Sequence, residues 1–332
     1  MKRFLPDTFT LLLLTTVALA SLFPLAGAAV GYFKLATKIA IGLLFFLHGA
    51  RLSRDVMVKG LLHWRLHLVI LGSTFLLFPV LGLCLNFLPV GFLPPALYTG
   101  ILYLCVLPST VQSSIAFTSI AQGNVPAAIV AASGSNIVGM FLTPLLAGVL
   151  LSANGHGGFS IGAVEDIALQ LLLPFLLGQI LQPWVGNYIR ARKTLLAPVD
   201  RGSILMVVYL AFSESVTQGL WHTLSLRDIA VVVTIDIALL AAVLVITTLG
   251  SRRLGFARED EIAIVFCGSK KSLASGVPMA NAIFAGQAIG GIVLPLMLFH
   301  QIQLMACAII AKRYHDRAVA AQSTATAPVT QV

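Results

Sequence analysis

Residues 268–276 read Gly-Ser-Lys-Lys-Ser-Leu-Ala-Ser-Gly, between the apolar run Ile262-Ala-Ile-Val-Phe-Cys267 and Val277-Pro-Met-Ala-Asn-Ala-Ile-Phe284. Lys270 and Lys271 therefore sit near the middle of a segment otherwise apolar enough to cross a membrane. A lysine at the centre of a spanning helix costs about 2.5–3.5 kcal/mol on insertion scales. The flanking aliphatic and aromatic residues, at about −0.3 to −0.6 kcal/mol each, do not offset two of them. The segment is stable in a bilayer only if its lysines face a wet or paired protein interior. Glycines on both sides, the hydroxyls of Ser269 and Ser272, and Pro278 predict a helix interrupted at that depth. Charged, interrupted helices at the midplane are a device of secondary transporters.

The rest of the chain fits a membrane. It has 332 residues, of which 58% are hydrophobic and 10% charged, with mean hydropathy +0.97. Soluble domains carry about a quarter charged residues. The net charge of +9 does not indicate nucleic acid, because the basic residues recur in short clusters between apolar runs. Cys84, Cys105, Cys267 and Cys307 each stand alone in an apolar run, so neither a zinc site nor a disulfide framework is expected. They read as small core residues. The first 30 residues imitate a signal peptide, but the apolar stretch Phe9–Phe23 is long for one and is read as a retained span.

About 20 apolar residues cross a hydrocarbon core of about 30 Å. On that basis ten spans are expected, at roughly 7–27, 33–51, 66–88, 96–121, 126–151, 163–186, 202–221, 228–250, 261–285 and 288–312. The clusters Lys2-Arg3, Arg51–Arg65, Arg190–Arg201, Arg252–Arg258 and Lys312–Arg317 then share one face, opposite Lys34, Lys38 and Arg227. That bias predicts cytoplasmic termini in a cell (inner) membrane. The chain is expected to divide into a first five-helix repeat, 1–161, an inverted second, 162–313, and a disordered tail, 314–332.

Span four is expected to break as span nine does. Leu104-Cys-Val-Leu-Pro108 gives way to Ser109-Thr-Val-Gln-Ser-Ser114; a proline cannot donate to the helix, and a polar run follows. Paired interruptions at corresponding positions of two halves point to a binding site. The candidate substrate or ion ligands are Ser109, Thr110, Gln112, Ser113, Ser114, Asn136, Glu214, Ser269, Lys270, Lys271, Ser272, His300 and Gln301. The hydroxyls could equally bond back to their own helices. Ser133, Ser135 and Asn136 could belong to a small-residue packing face. Glu214 is an intramembrane carboxylate, able to pair with a lysine or carry a cation. Asp236, eight residues from Asp228, reads as closer to an interface. No histidine and carboxylate spacing suits a metal, and no hydrolase or nucleotide-binding motif is present.

Leu107-Pro-Ser-Thr-Val-Gln-Ser-Ser-Ile-Ala-Phe-Thr118, Gly123-Asn124, Thr143-Pro-Leu-Leu146, Ile264–Gly276 and Leu294–Gln303 resemble the bile acid/sodium symporter superfamily, in its member-7-like bacterial symporter branch. The resemblance spans residues 5–315. It implies an all-α polytopic membrane protein of ten transmembrane helices in inverted five-helix repeats, with discontinuous helices four and nine crossing in a core domain of spans three to five and eight to ten. Spans one, two, six and seven would form a panel, with the substrate path between the two domains. It implies a non-enzymatic, symporter-like secondary transporter with no cofactor, using Na+ or H+ as coupling ion and working by alternating access. Sodium-coupled members carry acidic and amide residues where span nine breaks. Lys270 and Lys271 stand there instead, so less dependence on sodium and a small organic anion as solute are expected. The other reading is a cation/proton antiporter using Lys270, Lys271 and Glu214.

Overall fold

The computed structural model describes residues 8–51, 63–87, 89, 91–153, 171, 173–284 and 287–325. Every regular element among them is helical. The boundary expected at 161/162 and the first part of span six lie outside the described residues. In chain order the main helices are α1 (Thr8–Leu22), α2 (Ala28–Arg51), α3 (Trp64–Leu83, with a π-helical stretch Ser73–Leu77), α4 (Pro95–Val106), α5 (Gln112–Ile120) and α6 (Val125–Ala153). They continue as α7 (Leu173–Ala191), α8 (Lys193–Thr217), α9 (Leu226–Arg253), α10 (Arg258–Gly268), α11 (Leu273–Ile283) and α12 (Gly290–Ala325).

Local chemistry sets the boundaries. Pro95 opens α4, where its missing N–H is no loss, and the extended Leu107 before Pro108 ends it. A capping box between Ser225 and Asp228 starts α9. Glu259, Asp260 and Glu261 occupy the first turn of α10, where the helix dipole favours negative charge. α12 runs on to Ala325, so the expectation of a disordered tail from 314 does not hold as far as that residue; 326–332 lie outside the described residues. The reason is a polar tie at residue 314. The Tyr314 hydroxyl donates to Glu261, which also accepts two bonds from Arg252, and the Tyr314 carbonyl accepts from Arg258.

The helices pack in two groups. α2 lies along α7 and α8, with α1 on α8. α2 and α7 cross at a pair of glycines: a Cβ on Gly49 would fall 2.2 Å from the Phe175 carbonyl, and one on Gly178 would fall 2.2 Å from that of Phe46. In the second group α3, α4, α5, α6, α9, α10 and α12 pack on one another. The groups meet where α8 touches α11 and α12, and where Ser215 accepts from the Gly290 backbone at the start of α12.

The outward surface is what a bilayer covers. Among the described residues, five helices (α2, α3, α9 and the main parts of α6 and α12) are long and apolar enough to cross one. On α9 the inward face carries Val232, Leu239, Leu240 and Val243, while the outward face exposes Ile237, Val245, Ile246 and Leu249. A helix apolar on both faces belongs in lipid rather than water.

Candidate functional site

Two non-helical stretches face each other inside the second group: 107–111 between α4 and α5, and 269–272 between α10 and α11. These are the two interruptions expected from sequence. Backbone polar groups at such depth must be satisfied by the protein or by water, and here each break satisfies the other. At the first break, the Leu104 carbonyl accepts from Leu107 N–H. The Val106 carbonyl accepts from Thr143 Oγ1 at 2.8 Å, and that of Pro108 from Ser272 N–H at 2.9 Å. The Ser109 carbonyl accepts from Asn136 Nδ2 at 2.7 Å, and its N–H donates to Ser135 Oγ at 3.0 Å.

The carbonyls of Cys105 and Leu107 are taken by Lys271, whose Nζ donates to them at 2.9 and 2.8 Å. Its third bond goes to the Thr74 carbonyl at 2.8 Å, and the ammonium lies 4.1 Å from the Phe78 ring centroid. The sequence of α3 prepares that acceptor. In the π-helical stretch the Phe78 N–H bonds to Ser73, one residue further back than in an α-helix. Pro79, next in line, has no N–H. The Thr74 carbonyl is therefore left without a helical donor. Lys271 is fully buried, and all three of its N–H groups are used. It also sits at the carbonyl end of α4, where the helix dipole favours a cation.

Lys270 is equally buried but faces the other way. Its Nζ has no hydrogen-bond acceptor among the described residues. It lies over the Phe117 ring at 4.1 Å and the Phe266 ring at 5.3 Å.

The remaining candidates separate by role. Ser109 and Ser114 donate to the Cys267 and Phe266 carbonyls at the end of α10, not back to their own helix. Thr110 bonds to Ser113 and Ser114. Gln112 is exposed at the start of α5, with Ser113 half-buried. Asn136 joins the breaks, since its Oδ1 accepts from Ser275 at 2.6 Å while its Nδ2 serves Ser109. Ser269 bonds back to Val265, and Ser272 caps α11 by accepting from Ser275 N–H; both serve the backbone.

Glu214 pairs with a lysine, but not with one of the two at the break. It lies three residues from the end of α8 and is ion-paired with Lys34 of α2 at 2.6 Å. That neighbour became available because α2 and α8 pack together. In span ten the amide at the break is Gln303, not Gln301. Gln303 accepts from the Lys271 N–H and donates to its carbonyl, both at 2.9 Å, and it contacts His300 Nδ1. Thr143, Ser135, Ser73 (which donates to Gly268) and Gln303 were not among the expected site residues. Gln303→Leu leaves both backbone groups of Lys271 unpaired. At about 1–3 kcal/mol for each orphaned buried group, it should destabilise the protein by about 2–6 kcal/mol in an unfolding titration.

A family model described as the SBF-like CPA transporter family matches residues 7–316. The chain belongs to that family. It is accordingly a multi-pass membrane transporter and not an enzyme. Among its relatives, the "Uncharacterized protein PA2026" of Pseudomonas aeruginosa is 55% identical over 327 residues, covering 98% of each chain. The "Putative symporter YfeH" of Escherichia coli K12 is 53% identical over 308 residues, covering 93% of this chain and 92% of its own. The sodium/bile acid cotransporter 7 of Xenopus tropicalis is 26% identical over 312 residues, covering 92% and 90%. The two facing breaks thus belong to a transporter, and their chemistry bears on what crosses.

Proposed function

We propose that this member of the family is a secondary active transporter for a small organic anion, and that the Lys271 ammonium does the work of a bound sodium ion. The observation that carries the reading is the cage of three backbone carbonyls around Lys271 Nζ, at 2.8, 2.9 and 2.8 Å. Oxygen dipoles converging on one point at the end of a helix are a cation site. A covalently attached cation fills this one.

A second cation about 4 Å away would meet about 4 kcal/mol of repulsion at an effective dielectric of about 20. That is close to a thousandfold in affinity. Transport therefore depends little on sodium, and any coupling ion is a proton. The anion is drawn to Lys270, whose ammonium lies against two aromatic faces in this conformation and whose burial cost falls when a charge pairs with it.

In this reading the ten spans lie in a cell (inner) membrane with both termini cytoplasmic and form inverted repeats. α1, α2, α7 and α8 act as a panel, and the second group as a core that rocks against it. Gln112 and Ser113, the less buried polar residues just after the first break, at the start of α5, face the path between them. The antiporter alternative would need Glu214 to leave Lys34, with which it is ion-paired in this conformation.

Uptake of a radiolabelled bile acid and of short-chain carboxylates into proteoliposomes, in sodium and in choline buffers, tests the proposal. Saturable, ATP-independent uptake of an anion at similar rates in both buffers is the expected result. Uptake that vanishes in choline would contradict it, as would single-channel conductance steps.

A further inference from the structure

α9 buries a carboxyl outside the two breaks. Asp236 is fully buried, and neither of its carboxyl oxygens has a hydrogen-bond partner among the described residues. It lies eleven residues beyond the Ser225 cap, about 16 Å along the helix, which is about half the thickness of a hydrocarbon core. The interface position expected from sequence is therefore set aside. Val232, Leu239, Leu240 and Val243 share its face, so no polar neighbour on its own helix explains it.

The elements packed against α9 are α3, α4, α10 and α12. Their ionisable groups toward the middle of the molecule are Tyr103 and Cys105 on α4, Cys267 near the end of α10, Lys270 and Lys271 after it, and His300 and Cys307 on α12. His67 on α3 and Glu261 on α10 lie near the far ends of their helices, Glu261 held by Arg252 and Tyr314. Tyr103 is committed to the Gly276 carbonyl and His300 to Gln303. Cys105 is within electrostatic reach of both Asp236 and Lys271, and its carbonyl is one wall of the Lys271 cage.

An ionised carboxylate with no donor in such a place costs several kcal/mol. A carboxyl that holds a proton does not meet that cost, and intramembrane carboxyls of this kind mark proton relays. We propose that Asp236 is the exchangeable proton site of this transporter. It carries a proton in the conformation seen here and releases it to water when the core rearranges, leaving a carboxylate on the inward face of α9. The inference rests on the proton-coupled reading above, but its test needs no transported solute.

The experiment is infrared spectroscopy of the full-length protein reconstituted in lipid, titrated across the pH range in which it stays folded. Wild type should show the carbonyl stretch of a protonated carboxyl, shifted in heavy water and converted to carboxylate bands as pH rises. Asp236→Asn should lack that band and its titration, and Asp236→Glu should retain a band at a shifted frequency and midpoint. The proposal is overturned if the band is missing from wild type, persists in Asp236→Asn, or stays constant over the whole titration. Sodium-independent uptake by wild type alongside any of those results would leave the solute reading standing and remove Asp236 from it.

Discussion

Lys271→Ala should unfold far more readily than wild type. Removing the ammonium leaves the buried carbonyls of Thr74, Cys105 and Leu107 without that donor, and it opens a cavity beside Phe78. Breaking a buried, fully bonded charged group costs about 3–5 kcal/mol, a large fraction of the stability of an ordinary domain. Denaturant titration or thermal unfolding of the purified protein reads the effect directly. Lys271→Arg is not a safe control, because a planar fork does not reproduce three bonds radiating from a point.

Lys270→Met should do the opposite to stability and still stop transport. The Lys270 ammonium has two aromatic faces and no acceptor among the described residues. Contacts of that type contribute about 0.5–2 kcal/mol. Replacing a poorly compensated buried charge with an apolar side chain of similar volume is often stabilising by about 1–4 kcal/mol. The unfolding midpoint should therefore rise. Truncating one side of a buried charge pair costs about 2–5 kcal/mol, so anion uptake should fall by about thirtyfold or more at about 1.4 kcal/mol per decade. A variant as active as wild type would mean that Lys270 never meets the solute. Adjacent lysines with opposite effects on stability are what the geometry demands and what a shared structural role would not produce.

Much of this site is legible in the sequence, because helix breaks in a membrane leave strong marks. Pro108 followed by hydroxyls, and Gly268-Ser-Lys-Lys in an apolar run, each place an interruption where the structure has one. The difference between the two lysines is not legible. In non-helical backbone neighbouring side chains project to opposite sides, and only the fold puts carbonyls on one side and rings on the other.

Other signals were present but weaker. Asn136, Gly139 and Thr143 lie at i, i+3 and i+7, one helical face, and all three address the first break: Asn136 and Thr143 bond it, while Gly139 leaves room for Pro108, which a Cβ would approach to 2.7 Å. His300 and Gln303 are likewise i, i+3, whereas Gln301 points off that face. Pro79 marks a disturbed helix in α3, but the carbonyl it frees is identified only by knowing what lies opposite. Cys84 is exposed at the end of α3 rather than in the core, since an apolar run alone does not say which side faces lipid. Glu214 shows the reverse limit: its partner comes from a helix far away in sequence.

The central claim, that Lys271 occupies a cation site, is tested most directly by titrating sodium into the purified full-length protein in a calorimeter, comparing wild type with Lys271→Gln. The glutamine keeps amide donors for the cage but removes the fixed charge. Wild type should give no saturable sodium heat, and the variant should gain it. Tight sodium binding to wild type that Lys271→Gln leaves unchanged would contradict the claim and make the lysine a structural bolt alone.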